Sequence, residues 1–234
     1  MSKCLYNYAL MFSPKSARQK KAYGVAFDPK VDIPSFKDKV ILVTGGTSGI
    51  GQQSVLEFAK HEPKEIWLAA RNAAKAKEVT DKIKAEVPGA NIRFVQIDIG
   101  SFASVRTAAK QILDGADRLD ILLLNAGIMG VPAATTDEGY EIQFGTNLAA
   151  TLMDGNWFAG AVIVFLSMII GVDVPTGTLN QLWASTAKAK DIVSGKYYEP
   201  IGVTGRGKPQ IYDQALAEKL WEWTEKELEG QTVG

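Results

Sequence analysis

Histidine and cysteine each occur once in the 234 residues, as His61 and Cys4. A single cysteine excludes an internal disulfide and fits a reducing compartment, so a cytoplasmic protein is expected. One histidine and one cysteine cannot build a typical zinc site, and no metal is expected. Their positions suggest no catalytic Cys–His pair. Serine-hydrolase chemistry is disfavoured too, because His61 falls in a helix-to-strand connection and no Gly-x-Ser-x-Gly elbow is present. Net charge is also missing: 26 basic residues balance 26 acidic ones. Nothing in that balance suggests nucleic acid or a strongly anionic partner. Met1 to Phe12 lacks the long apolar core and small-residue cleavage site of a secretory signal.

What the chain does have is the stretch Val40-Ile41-Leu42-Val43-Thr44-Gly45-Gly46-Thr47-Ser48-Gly49-Ile50-Gly51. The unbroken apolar run Val40 to Val43 predicts a central parallel strand covered on both faces. Gly45, Gly49 and Gly51 allow a tight turn and a close ligand approach. Thr47 or Ser48 can cap the helix that follows. The first amides of that helix have no internal partners, and with the helix dipole they form a ready pyrophosphate site.

Further strand–helix units follow. Strands are predicted at Ile66 to Ala70, at Ile92 to Ile97 and at Leu119 to Leu124. The third of the chain's four strands alternates apolar and polar residues and reads as nearer an edge. Helices are predicted from Gly51 towards Lys60, at about Ala73 to Glu86, and at Ser101 to Leu113. This alternation means parallel β with right-handed crossovers, an α/β fold with a Rossmann-like, doubly wound parallel sheet. Residues 1–26 are read as an N-terminal arm and 27–234 as the domain. Lys15, Arg18, Lys20 and Lys21 in the arm make a solvated cluster or a weak membrane-surface contact. Gln214 to Leu228 reads as a terminal amphipathic helix with Leu216, Leu220 and Trp223 on one side, its tryptophans packed in the core.

Ligands touch such a sheet just beyond its strand ends. There stand the glycine turn, then Arg71, Asp98-Ile99 and Asn125-Ala126-Gly127. The spacing Thr-Gly-x-x-x-Gly-x-Gly, the Asn-Ala-Gly run and the segment Gly139 to Asn147 resemble the short-chain dehydrogenase/reductase family. The wider wording is similar to its fungal, retinol-dehydrogenase-like branch. The resemblance implies NADP(H)-dependent hydride transfer between an alcohol and a carbonyl. It places Gly45, Thr47, Ser48, Gly49, Ile50 and Gly51 at the pyrophosphate. Asp98 would contact the adenine amino group and Ile99 would pack on the ring, with a plain turn aspartate as the alternative. Asn125, Ala126 and Gly127 would lie beside the nicotinamide ribose. Asn147 matches the catalytic asparagine that holds a water in the proton relay, with a capping or buried asparagine as the alternative. An NAD-selective site usually has an acid at the end of the second strand. Arg71 instead offers a planar charged fork for a 2′-phosphate, which points to NADP. Lys75 could assist or simply be exposed.

The family's chemistry also needs a tyrosine with a lysine four residues on, the cation favouring the phenolate, and a serine on a preceding strand. Four residues on from Tyr6, Tyr8, Tyr23, Tyr140, Tyr197, Tyr198 and Tyr212 stand Leu10, Phe12, Phe27, Phe144, Ile201, Gly202 and Leu216. The pair is absent, and no strand with the paired serines follows Asn147. The resemblance resumes near Asp173, so strands five and six are read as cut out near Asp154, giving a truncated sheet and an impaired enzyme. The alternatives are a non-catalytic NADP-binding protein, a non-functional truncated product, or an active enzyme using a partner chain or an unusual residue such as Tyr197 or Tyr198. Gly155 to Val172 is an uncharged run of 18 residues, at the short limit for a membrane span. A buried or lid helix is the other reading. Expected partners are thus NADP(H), a small alcohol or carbonyl if active, and a second copy of the chain, with no nucleic acid.

Overall fold

The computed structural model describes residues 25–147 and 173–229, apart from 189, 194, 199–200, 205–208 and 228. The basic cluster of the arm and the Gly155 to Val172 run lie outside the described residues. Among those described, no helix is long and apolar enough to cross a membrane. They fall into two units, one covering residues 35–178 and the other 25–34 with 179–229.

The first unit is built on a parallel sheet of four strands: β1 (Val40–Thr44), β2 (Glu65–Ala70), β3 (Ile92–Gln96) and β4 (Ile121–Leu123), in the order β3-β2-β1-β4. Ile41 is level with Ile66 on one side and Ile121 on the other. The middle strands are buried along almost their whole length, and this is why they read as continuous apolar runs. Among the described residues β3 is an edge strand, as its alternation predicted.

Helices cover both faces. In chain order, the short α1 (Pro29–Asp32) belongs to the second unit, and α2 (Gly49–Ala59), α3 (Ala73–Glu86) and α4 (Phe102–Gly115) belong to the sheet. Two successive right-handed crossovers from β1 to β3 put α2 and α3 on one face, and the return to β4 puts α4 on the other. On the α4 face Val40, Leu42, Trp67, Ala69 and Val95 pack with Ala108. Ile41, Val43, Ile66 and Leu68 alternate to the opposite face and are buried there. The boundaries of α3 follow local chemistry. Asn72 Oδ1 caps it by accepting from Lys75 N at 2.9 Å, and Val87-Pro88-Gly89 follows its end.

β4 is shorter than the predicted Leu119 to Leu124. Just before its start, Asp120 N donates to Val40 O at 2.9 Å, and the Asp120 side chain accepts from Val40 N at 2.9 Å. Just past its end, Asn125 N donates to the Thr44 hydroxyl at 3.0 Å and to Leu123 O at 3.1 Å, and so makes no further backbone rung to β1. Side-chain bonds therefore reinforce both ends of the strand. Among the described residues β4 is the other edge, and Leu122 stays 51% exposed.

The helix α5 (Ile142–Asn147) closes the described part of the first unit before residue 173. In the second unit, Leu179, Leu182 and Trp183 of α6 (Val174–Thr186) are buried with Ile201, and the Trp183 ring lies 5.1 Å from that of Tyr198. The last helix, α7 (Gln214–Glu227), has no buried residue. Trp221, Trp223, Leu216 and Leu220 are all exposed, which corrects the expectation that its tryptophans pack in the core. Helical periodicity specifies that apolar residues share a side, but not that another element covers it.

Candidate functional site

The carboxyl ends of all four strands open on one cleft of about 380 Å³. The first wall is the turn after β1. Gly45 (φ +69°) and Gly49 (φ +53°) adopt the left-handed conformation that favours glycine. Gly45 N donates to Ala69 O at 2.8 Å, which ties the turn to β2. A Cβ on Gly45 would sit 2.9 Å from Ala126 Cα, and one on Gly51 would collide with Gly45 O and Asn125 Nδ2. These two glycines thus serve the packing of strand β1 against the segment after β4. Gly49 differs: a Cβ there meets nothing within 4 Å, so it faces open space. Ser48 is the N-cap of α2 by position, but its hydroxyl makes no capping bond, contrary to the expected role. Its φ of −161° and ψ of 161° are extended, and the side chain lines the cleft instead.

The second wall follows β2, where Ala70, Arg71, Asn72 and Lys75 line the cleft. Arg71 and Lys75 are exposed. Neither head group forms an ion pair among the described residues. The cap at Asn72 holds Lys75 one turn into α3, so both cations reach the same opening.

The third wall is Ile97, Asp98 and Ile99 after β3. Asp98 makes a turn of its own, with Oδ1 accepting from Gly100 N at 3.0 Å, while its amide donates to Ser104 Oγ at 2.8 Å. The turn aspartate and the cleft-lining aspartate are therefore one residue.

The fourth wall is Asn125, Ala126, Gly127 and Ile128, with Thr146 beside them. Buried Thr44 anchors this wall. Its Oγ1 accepts from Asn125 N and Ala126 N, both at 3.0 Å, and its carbonyl accepts from Asn125 Nδ2 at 3.1 Å. Asn147 lies just behind. Its Oδ1 accepts from Ile128 N at 2.7 Å, and its Nδ2 donates to Ile128 O. Asn147 thus spends both carboxamide atoms on the wall. α5, which carries it, is started by Glu141, whose Oε2 accepts from Phe144 N at 2.7 Å. Bonds to the Gln143 and Phe144 amides hold that carboxyl below its ordinary range.

Of the residues singled out from the sequence, Gly45, Thr47, Ser48, Ile50, Gly51, Arg71, Lys75, Asp98, Ile99, Asn125, Ala126 and Gly127 all line this one cleft. Gly49 and Asn147 stand next to it. Thr44 was missed as an anchor, and so were Ile97, Ile128 and Thr146 in the wall. Thr44 had a legible signal: a lone hydroxyl at the buried end of an apolar strand requires a partner.

Comparison with known proteins bears on what such a cleft belongs to. Residues 39–159 match the model of the short chain dehydrogenase family, and these make up more than half of the chain. The chain belongs to that family. A short-chain dehydrogenase/reductase of Armillaria gallica is 42% identical over 118 residues, covering 50% of this chain and 38% of that protein. An uncharacterized oxidoreductase of Schizosaccharomyces pombe is 43% identical over 116 residues, 50% of this chain and 34% of its own. Human retinol dehydrogenase 13 is 37% identical over 124 residues, 53% of this chain and 36% of its own. The short-chain dehydrogenase match thus spans under two fifths of these relatives' lengths. Among solved structures, a blue fluorescent protein from a metagenomic library in complex with NADPH is 30% identical, with a TM-score of 0.40 over 49% of this chain and 47% of that one.

Proposed function

We propose that this short-chain dehydrogenase domain binds NADP(H) and is impaired in the hydride-transfer chemistry of its lineage. The observation that carries the binding half is the meeting of Arg71 and Lys75 with the glycine turn, Asp98 and Asn125 in one cleft. The fit is chemical. The open space before Gly49 accepts a pyrophosphate where a side chain would fill it, at a helix start whose orphan amides favour an anion. Arg71, planar and without an ion pair among the described residues, suits a ribose 2′-phosphate, and Lys75 adds a second cation. Asp98 would meet the adenine amino group beside Ile99, and Asn125 to Gly127 would border the nicotinamide ribose. When bound, the cofactor supplies the hydride donor or acceptor. The chain's own residues bind and orient it.

The impairment rests on the sequence. No tyrosine has a lysine four residues on, so the family's cation that favours a phenolate from that position is absent. We attribute the gap to an internal loss near Asp154. Any substrate of the lineage would be a small alcohol or carbonyl compound.

The test is a fluorescence titration of the purified 234-residue chain with NADPH and with NADH, followed by a panel of carbonyl substrates. NADPH binding stronger than NADH binding, without turnover, is expected. Failure to bind either dinucleotide defeats the reading of the cleft. Robust carbonyl reduction defeats the impairment.

A further inference from the structure

We infer that Gln96 is a positioning residue for Arg71 and, through it, for the preference between a 2′-phosphate and a 2′-hydroxyl. The inference rests on the proposed NADP(H) site. β2 ends at Ala70, and Arg71 is the first residue beyond it. Two consecutive carbonyls at this point are taken by the end of β3. Ile97 N donates to Ala70 O at 3.1 Å, and Gln96 Nε2 donates to Arg71 O at 3.1 Å. The first is an ordinary ladder bond. The second is a side-chain bond to the carbonyl one residue past the end of β2.

On the other side of Arg71, Asn72 is fixed as the cap of α3. The Arg71 backbone is therefore held from both directions, while its guanidinium has no ion-pair partner among the described residues and lies along the cleft. This arrangement suits a group whose binding strength depends on being pre-organised. A planar fork must meet a phosphate in a fixed orientation, and an unanchored Arg71 would lose backbone freedom on binding. Gln96 is exposed on an edge strand and is not buried in the core, so the fold has little need of it.

The inference is tested by the full chain carrying Gln96→Met, which keeps the length of the side chain and removes its donor. Dissociation constants for NADPH and NADH are measured by cofactor fluorescence in wild type, Gln96→Met, Arg71→Ala and the double variant. One neutral hydrogen bond is worth about a three- to ten-fold change in affinity. We expect Gln96→Met to weaken NADPH by about that factor, to leave NADH unchanged, and to have no further effect once Arg71 is alanine. Equal weakening of NADPH and NADH, or an undiminished effect in the Arg71→Ala background, overturns the inference and leaves the NADP(H) reading standing. Wild-type protein that does not prefer NADPH overturns both.

Discussion

The carboxamide of Asn147 is paired with the peptide of Ile128 at both of its polar atoms, one accepting from the amide at 2.7 Å and the other donating to the carbonyl. A six-residue helix is thereby fastened to the loop that walls the cleft. Replacing Asn147 by leucine keeps the bulk and strands both groups of the Ile128 peptide. We expect a loss of about 1–3 kcal/mol in unfolding free energy, read as a lower urea midpoint at constant slope. An unchanged midpoint would mean that the pairing contributes nothing.

Gly49 and Gly51 separate packing from ligand access. Gly51→Ala drives a methyl into Gly45 O and Asn125 Nδ2 and should cost about 1–3 kcal/mol in overpacking. Gly49→Ala meets no neighbour, although its φ of +53° is strained for alanine. It should leave a folded protein, by circular dichroism, that has lost most of its NADPH affinity. NADPH binding by Gly49→Ala at wild-type strength would remove Gly49 from the pyrophosphate site.

Asp120 should make the β1–β4 contact acid-sensitive. Its carboxyl is held well below its ordinary 3.8, first by the Val40 amide and then by Lys39 and Arg118. The folded state therefore favours the ionised form. Its contribution is complete above about pH 5 and drains away as pH falls below the unfolded-state value towards the lowered folded one. The melting temperature of Asp120→Asn should lie below that of wild type at pH 7, and the gap should shrink below about pH 4. A gap that is constant across this range contradicts the assignment.

Asp38 occupies the third position of the turn closed by Lys39 N on Phe36 O at 2.8 Å, with φ +68°. Glycine is the residue such a position favours. Asp38→Gly should raise stability by about 0.5–1 kcal/mol, since it relieves left-handed strain on an exposed side chain. Differential scanning calorimetry would decide, and a lowered melting temperature would refute it.

Legibility from the sequence varied with how local the cause was. α3 runs over the predicted Ala73 to Glu86 because both its boundaries are written in neighbouring residues, Asn72 at one end and Val87-Pro88-Gly89 at the other. The middle strands were legible because burial on both faces leaves an unbroken apolar run. What eluded the sequence depended on residues far apart in the chain. Thr44 finds its partners at Asn125 and Ala126, some eighty positions on. Ser48 has the right type and backbone for a cap, but its side chain turns elsewhere. Trp221 and Trp223 carry a helical pattern yet stay exposed. The cleft residues were readable as a set because each directly follows a strand end, a position fixed by topology rather than by side-chain orientation.

β4 contributes only three residues to the sheet, yet the segment it delivers forms a whole side of the cleft. Its backbone attachment to β1 is brief, and side chains clasp it at each tip. Such a strand should be the first to peel away in native-state breathing, and its amides the fastest among the four strands to exchange with deuterium. A ligand lodged between the glycine turn and Asn125 would act as a splint across that seam. Its binding should slow exchange at Ile121 to Leu123 more than anywhere else in the sheet.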